Sequence, residues 1–218
     1  VAMKSPPGGA CPKHLRRPFH DQEKNMTGRT TDTALDRLFL DRWSPRAFDG
    51  SAMSDADLNT ILDAARWAPS AYNYQPWRLL YARKDDANWD AFLSVLIPFN
   101  QSWAQTASML LVIASDTVME TAEGANPSHS HSFDAGAAWG QLGLQASMLG
   151  YHAHGMTGVD FDKAREVLDV PERFRIEAAA AIGKRGDVSV LPEFLRDKDV
   201  PSNRKALDEI AFAGKFVA

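Results

Sequence analysis

Cysteine occurs once in the 218 residues, at Cys11. That excludes an intrachain disulfide framework and fits a reducing compartment. Cys11 stands among prolines and glycines, a poor setting for a catalytic thiol. No apolar run approaches the roughly 18 residues of a membrane span. The longest, Met109 to Ala114 and Ala178 to Ile182, read as buried strands. Positive charge is not in excess: the net charge is −4, which leaves no electrostatic footprint for nucleic acid. Near the start, Lys13, Arg16 and Arg17 follow a Pro/Gly stretch with no apolar segment behind them, unlike a signal peptide, so a cytoplasmic location is expected. A Gly-x-Gly-x-x-Gly turn, a Gly-x-Ser-x-Gly elbow and a His-Glu-x-x-His pair are all missing. Their absence argues against a Rossmann pocket, a serine-hydrolase site and a zinc-protease site.

What is present suits one soluble domain, with 44% hydrophobic and 24% charged residues. Residues 1–31 are rich in Pro, Gly and charge without periodicity, and are expected to be a flexible arm. Residues 32–218 are expected to form a single domain. Leu35, Leu38 and Phe39 have amphipathic spacing and predict a helix starting near Thr33. Ser54 reads as an N-cap, with Leu58, Ile61, Leu62 and Ala65 as the buried face and Pro69 as the stop. Strands are predicted at 77–83, 109–114, 152–156 and 177–182. Helices are predicted at 86–96, 133–149 and from Asp160 to Leu168. The helix at 133–149 is dense in Gly and Ala, so it must recover through close packing what glycine costs, about 0.5–1 kcal/mol per position. Strands separated by helices suggest an α+β or three-layer arrangement.

Arg42-Trp-Ser44-Pro-Arg46-Ala-Phe48 places two guanidiniums and a hydroxyl at alternating positions. In extended chain all three point the same way, a donor set suited to a phosphate or an electron-rich heterocycle. Asn73, in Pro69-Ser-Ala-Tyr-Asn-Tyr-Gln-Pro-Trp77, can donate and accept at one edge, or can simply form an Asx turn. Met156-Thr-Gly-Val-Asp160 sits at a predicted strand-to-helix turn. Pro201-Ser-Asn-Arg-Lys205 adds two cations near the end. His129-Ser-His131 has the spacing of a metal-binding pair. Without further ligands in pattern it reads as a polar loop, and no metal is expected.

In this order the four segments resemble the nitroreductase family of FMN-dependent oxidoreductases. The resemblance implies an α+β, three-layer α-β-α sandwich with a mostly antiparallel central sheet flanked by helices, assembled as a homodimer with FMN at the interface. It further implies that Arg42, Ser44 and Arg204 hold the FMN phosphate, with Lys205 close by, and that Arg46 meets the flavin N1/O2 edge. Asn73 would meet the pyrimidine edge, and Pro69 and Ser70 would lie beside the ring. Backbone N–H groups of Thr157 and Gly158 would face N5, although many relatives carry an acidic residue where Thr157 stands.

The activity implied is ping-pong: NAD(P)H reduces the flavin, leaves, and is replaced by a small-molecule electron acceptor such as a nitroaromatic or quinone. No catalytic side chain is named, because the flavin carries the chemistry. Alternatives are a specialised use of the same scaffold (dehalogenation, flavin fragmentation or oxidation) or a non-catalytic FMN-binding protein.

Overall fold

In the computed structural model, which describes residues 27–216, a four-stranded antiparallel sheet carries the fold. Its strands are β1 (Trp77–Arg83), β2 (Met109–Asp116), β5 (His152–Met156) and β6 (Phe174–Gly183), in the order β1-β2-β6-β5. β3 (Val118–Thr121) and β4 (Gly124–Pro127) form a separate hairpin. β2 is buried at every position, as its unbroken apolar run requires of a strand covered on both faces. Leu110, Val112 and Ala114 belong to one core cluster, and Met109, Leu111 and Ile113 to the other. The period of two thus divides the core between the two sides of the sheet.

One side is covered by α2 (Asp55–Arg66) and α5 (His131–Met148), which pack on each other and on the strands. Ser54 caps α2 by accepting the N–H of Asp57, and Leu58, Ile61 and Ala65 are its buried face. Each large side chain buried there is worth about 1.5–3 kcal/mol. Gly150, just past α5, has φ +78°, a left-handed conformation that ends the helix without Cβ strain. The other side is covered by α3 (Trp89–Ser94) and α4 (Pro98–Ala104). α6 (Phe161–Val167) is capped by Asp160, and the short α7 (Glu193–Arg196) buries Leu195. No helix among the described residues is long and apolar enough to cross a membrane.

Three local expectations change. The first helix, α1, spans only Arg37–Asp41 and buries nothing, leaving Leu35 and Phe39 exposed. Although α1 lies beside α5, its apolar spacing yields no buried residue. The single helix predicted at 86–96 is shorter, and α4 follows it with Pro98 in its first turn. The β3–β4 hairpin occupies a stretch that carries no strand periodicity. Most of the arm expected over 1–31 lies outside the described residues. At its end, Arg29 is buried and donates to the carbonyls of Leu40, Arg42 and Ser202.

Candidate functional site

The segment from Arg42 to Phe48 runs extended, with Trp43, Pro45 and Ala47 buried while Arg42, Ser44 and Arg46 are half-buried. The alternation of burial expected from sequence is therefore present, but the polar set divides: Arg42 and Ser44 meet each other, while Arg46 packs against Trp103. Asp199, itself buried, holds this segment by accepting the N–H groups of Arg46 and Ala47. Arg42 Nη1 donates to Ser44 Oγ at 3.4 Å.

Two more guanidiniums lie within electrostatic reach. Burial first, and then the charge of Arg204, pushes the Arg42 pKa down. Burial, Arg204 and Arg42 do the same to Arg29, partly offset by Asp41. Arg29 was not singled out from sequence; an isolated arginine in an aperiodic stretch gives no signal. Its three bonds to carbonyls tie residues 40–42 to residue 202, and so bring the Arg204 segment beside Arg42. Like charges held near one another disfavour one another unless an anion joins them.

Arg42 and Ser44 open onto a cavity of about 390 Å³, together with Thr157, Met156 and Trp139. Ser132 and Glu177 line it as well. A phosphate-bearing heterocycle fits this donor set: Arg42 with a hydroxyl at one end and apolar surface along the wall.

The remaining expected residues lie elsewhere in the single chain. The Arg46 guanidinium sits 6.0 Å from the Trp103 ring centre, and its Nε is buried with no hydrogen-bond partner among the described residues. Pro69, Ser70 and Asn73 form a loop outside the cavity lining. Ser70 Oγ accepts the N–H of Gln75, and Gln75 Nε2 donates to Asn73 Oδ1, so Gln75 ties the loop down. Tyr72, Asn73 and Gln75 all have positive φ, near 52–53°, and Tyr72 is 91% exposed. A bulky residue held left-handed and solvent-facing marks a strained, presented loop.

Gly158 is tightly packed on the side where a side chain would stand. A Cβ there would come within 2.4 Å of Asn100 Nδ2 and 2.8 Å of Ile97 Cδ1. Its small size therefore serves packing against α4, and its carbonyl accepts from Asn100 and Ile97. Arg204 is exposed and bonds to Ser202 and Asn203, while Lys205 is simply exposed.

Sequence reasoning missed Glu177. Ile113 pairs with Ala178 and Ala114 with Ile176, so Glu177 is the extra residue of a β-bulge. Ile176 and Ala179 fall in the same core cluster although three residues apart. Glu177 and Ala178 consequently both face the cavity.

The fold is that of an FMN-containing oxidoreductase, and the nitroreductase family pattern matches residues 40–184. The chain belongs to the nitroreductase family. A solved structure described as an oxidoreductase containing FMN shares 51% identity, with a TM-score of 0.85, over 90% of this chain and 99% of its own. An NADH dehydrogenase of Thermus thermophilus is 27% identical over 78% of this chain and 91% of its own length. An uncharacterised 15.4 kDa protein of Mycolicibacterium smegmatis is 32% identical over 57% of this chain and 82% of its own.

Proposed function

We propose that this chain is a cytoplasmic, FMN-dependent NAD(P)H oxidoreductase that passes electrons to a small acceptor, such as a nitroaromatic or quinone, by a ping-pong route. The observation that carries this reading is the cavity that Arg42 and Ser44 line together with Thr157, with Arg204 close enough to lower the Arg42 pKa. Bound FMN would supply reversible two-electron chemistry that no side chain offers. Arg42, Ser44 and Arg204 would bind the phosphate, with Lys205 adding charge. Arg46 would favour negative charge at the N1/O2 edge. Backbone N–H groups of Thr157 and Gly158 would face N5.

The same reading has two chains complete each site, within a three-layer homodimer. Support comes from the apolar surface left open on one chain: Tyr72 is 91% exposed, Phe133 81% and Leu207 68%. Beside Gly136 and Gly140 of α5, added Cβ atoms would meet open space. Pro69, Ser70 and Asn73, which do not reach the cavity of their own chain, would then serve the cavity of the other. Obligate interfaces of this kind bury about 2,000 Å² or more.

The test is purification followed by denaturation and chromatography of the released cofactor, with anaerobic addition of NADH or NADPH to the holo-protein. Release of FMN and bleaching of its visible absorption are the expected results. FAD in the supernatant, or no flavin after FMN is added, would refute the reading. Bound FMN that neither nucleotide bleaches would make the chain a carrier instead of an enzyme. Light scattering tests the assembly: a monomer that still retains FMN would overturn the shared site.

A further inference from the structure

Four side chains on the α5 side of the sheet form one connected polar group. Ser115 Oγ lies 2.7 Å from His131 Nδ1 and 2.5 Å from Glu177 Oε1. Ser132 Oγ lies 2.7 Å from the same carboxylate oxygen. Ser115 is fully buried, whereas His131 and Glu177 each keep about 15% of their side-chain surface exposed.

Counting hydrogens orders the chain. Each serine has one proton to donate, and the carboxylate oxygen receives both. With Glu177 ionised, Ser115 has only lone pairs to offer His131, as has Ser132, whose Oγ lies 3.3 Å from Nδ1, so in that state Nδ1 carries the imidazole proton. The donor path runs from His131 Nδ1–H to Ser115 Oγ–H to Glu177 Oε1. It begins at a ring that solvent reaches and ends at a carboxyl group in the cavity wall. The charged groups facing it are Arg175, whose Nε is 3.5 Å from Glu177 Oε2, and Arg42 on the same cavity.

We propose that Glu177 is the proton donor to the electron acceptor, reloaded through Ser115 and His131, and that the acceptor is of quinone type, with a carbonyl oxygen that must be protonated. This rests on the proposed function, in which the reductant NAD(P)H supplies the hydride. As the acceptor gains two electrons as hydride, its carbonyl oxygen becomes negative. The carboxyl O–H of Glu177 breaks, and an O–H bond forms on the acceptor, so that quinone plus hydride plus proton gives hydroquinone. Glu177, now a carboxylate, takes the Ser115 proton while Ser115 takes the Nδ1 proton of His131. Solvent protonates Nε2 as Nδ1 gives up its proton; once Glu177 is again a carboxylate, rotation of the Ser115 hydroxyl and exchange of the imidazole proton from Nε2 to Nδ1 through solvent restore the chain. Nitroaromatic reduction also consumes protons, but a single carbonyl oxygen needs only one, delivered from one wall.

The decisive comparison is between an acceptor that needs a proton and one that does not. Holo-protein, wild type and Glu177→Gln, is reduced photochemically and mixed with a benzoquinone or with ferricyanide, which takes single electrons and no proton. General acid catalysis is typically worth 10²–10⁴-fold, so the quinone-to-ferricyanide rate ratio should fall about 100-fold in Glu177→Gln, and His131→Gln should lower it in the same direction. An unchanged ratio would overturn the proposal, whether both rates fall together or neither moves.

A second readout needs no turnover. In ¹⁵N-histidine-labelled protein with neutral imidazole, His131 (identified through His131→Gln) should carry its proton on Nδ1, and Ser115→Ala should shift it toward Nε2. An Nε2–H tautomer in the wild type at a pH where Glu177 is a carboxylate would overturn the relay. Photoreduction bypasses NAD(P)H, so a chain that NAD(P)H fails to reduce would sink the proposed function while both readouts still decide the relay.

Discussion

Asp199 accepts the backbone N–H of Arg46 at 2.7 Å through one carboxylate oxygen and that of Ala47 at 3.2 Å through the other. A residue from the C-terminal part of the chain thus fixes the extended segment that carries Arg42, Ser44 and Arg46. Asp199→Ala leaves two N–H groups without their acceptor, and an unsatisfied buried donor costs about 1–3 kcal/mol. Thermal unfolding should show a clear loss for Asp199→Ala and a smaller one for Asp199→Asn, which keeps one acceptor oxygen. Equal melting temperatures for all three proteins would mean that the clamp contributes nothing.

Arg204 and Lys205 are adjacent but not equivalent. Only Arg204 is near enough to depress the pKa values of Arg42 and Arg29. A charge-assisted hydrogen bond is worth about 1.5–3 kcal/mol, so Arg204→Ala should weaken FMN binding about tenfold or more. Lys205→Ala should have a much smaller effect. Flavin fluorescence titration of the apo-proteins measures both, and equal small losses would make this segment a solvated one.

Arg46 should tune the cofactor more than it retains it. Its guanidinium lies against Trp103, with a buried Nε lacking a partner among the described residues. Arg46→Gln keeps a donor and removes the charge, so it should lower the two-electron potential and slow reduction by NAD(P)H. A tenfold slowing corresponds to about 1.4 kcal/mol. Redox titration with stopped-flow reduction checks this. Loss of FMN occupancy at an unchanged potential would assign Arg46 to anchoring instead.

Acid should weaken the fold through His152 and His154. Burial pushes both pKa values down from 6.5; Arg185 adds to the effect at His152. At His154, Arg46 adds to it while the Pro45 carbonyl partly opposes it. A lowered folded pKa means that the unfolded chain binds the proton first as pH falls. The stabilisation is complete above about pH 6.5 and is lost as pH drops below that toward the folded pKa values, by at most about 1.4 kcal/mol per pH unit per histidine. Melting temperatures from pH 7.5 to 5 should decline, and less steeply in His154→Gln. A profile identical to wild type in that variant would remove His154 from the account.

Gly158→Ala should destabilise by about 1–3 kcal/mol, because the new methyl meets Asn100 and Ile97. Chemical denaturation of the apo-protein isolates this effect. Full stability would mean that this packing does not require a glycine.

Much of the scaffold was legible because its signals are local. Trp77 to Arg83 shows its strand limits directly, and Ser54 with Asp57 shows the start of α2. The alternation of Arg42, Ser44 and Arg46 needs only an extended backbone to be read. What escaped depends on partners distant in sequence. The β3–β4 hairpin is held by Tyr74 and Arg173, which meet at Asp116 and the Val118 carbonyl, not by a pattern of its own. The position of Glu177 depends on how β6 pairs with β2, and strand periodicity cannot show where a ladder will slip by one. Pro69, Ser70 and Asn73 were recognised as a motif, but a single chain does not bring them to the cavity.

The bulge at Glu177 makes the cavity's acid separable from the architecture around it. Removing that one residue would leave Ile113 opposite Ala178 and Ala114 opposite Ile176, a plain ladder with both hydrophobic faces intact. In evolutionary terms, one inserted or deleted codon adds or removes an acid without redrawing the sheet. A lineage can therefore try a proton-donating wall and abandon it, while the arginine cluster and the core stay as they are.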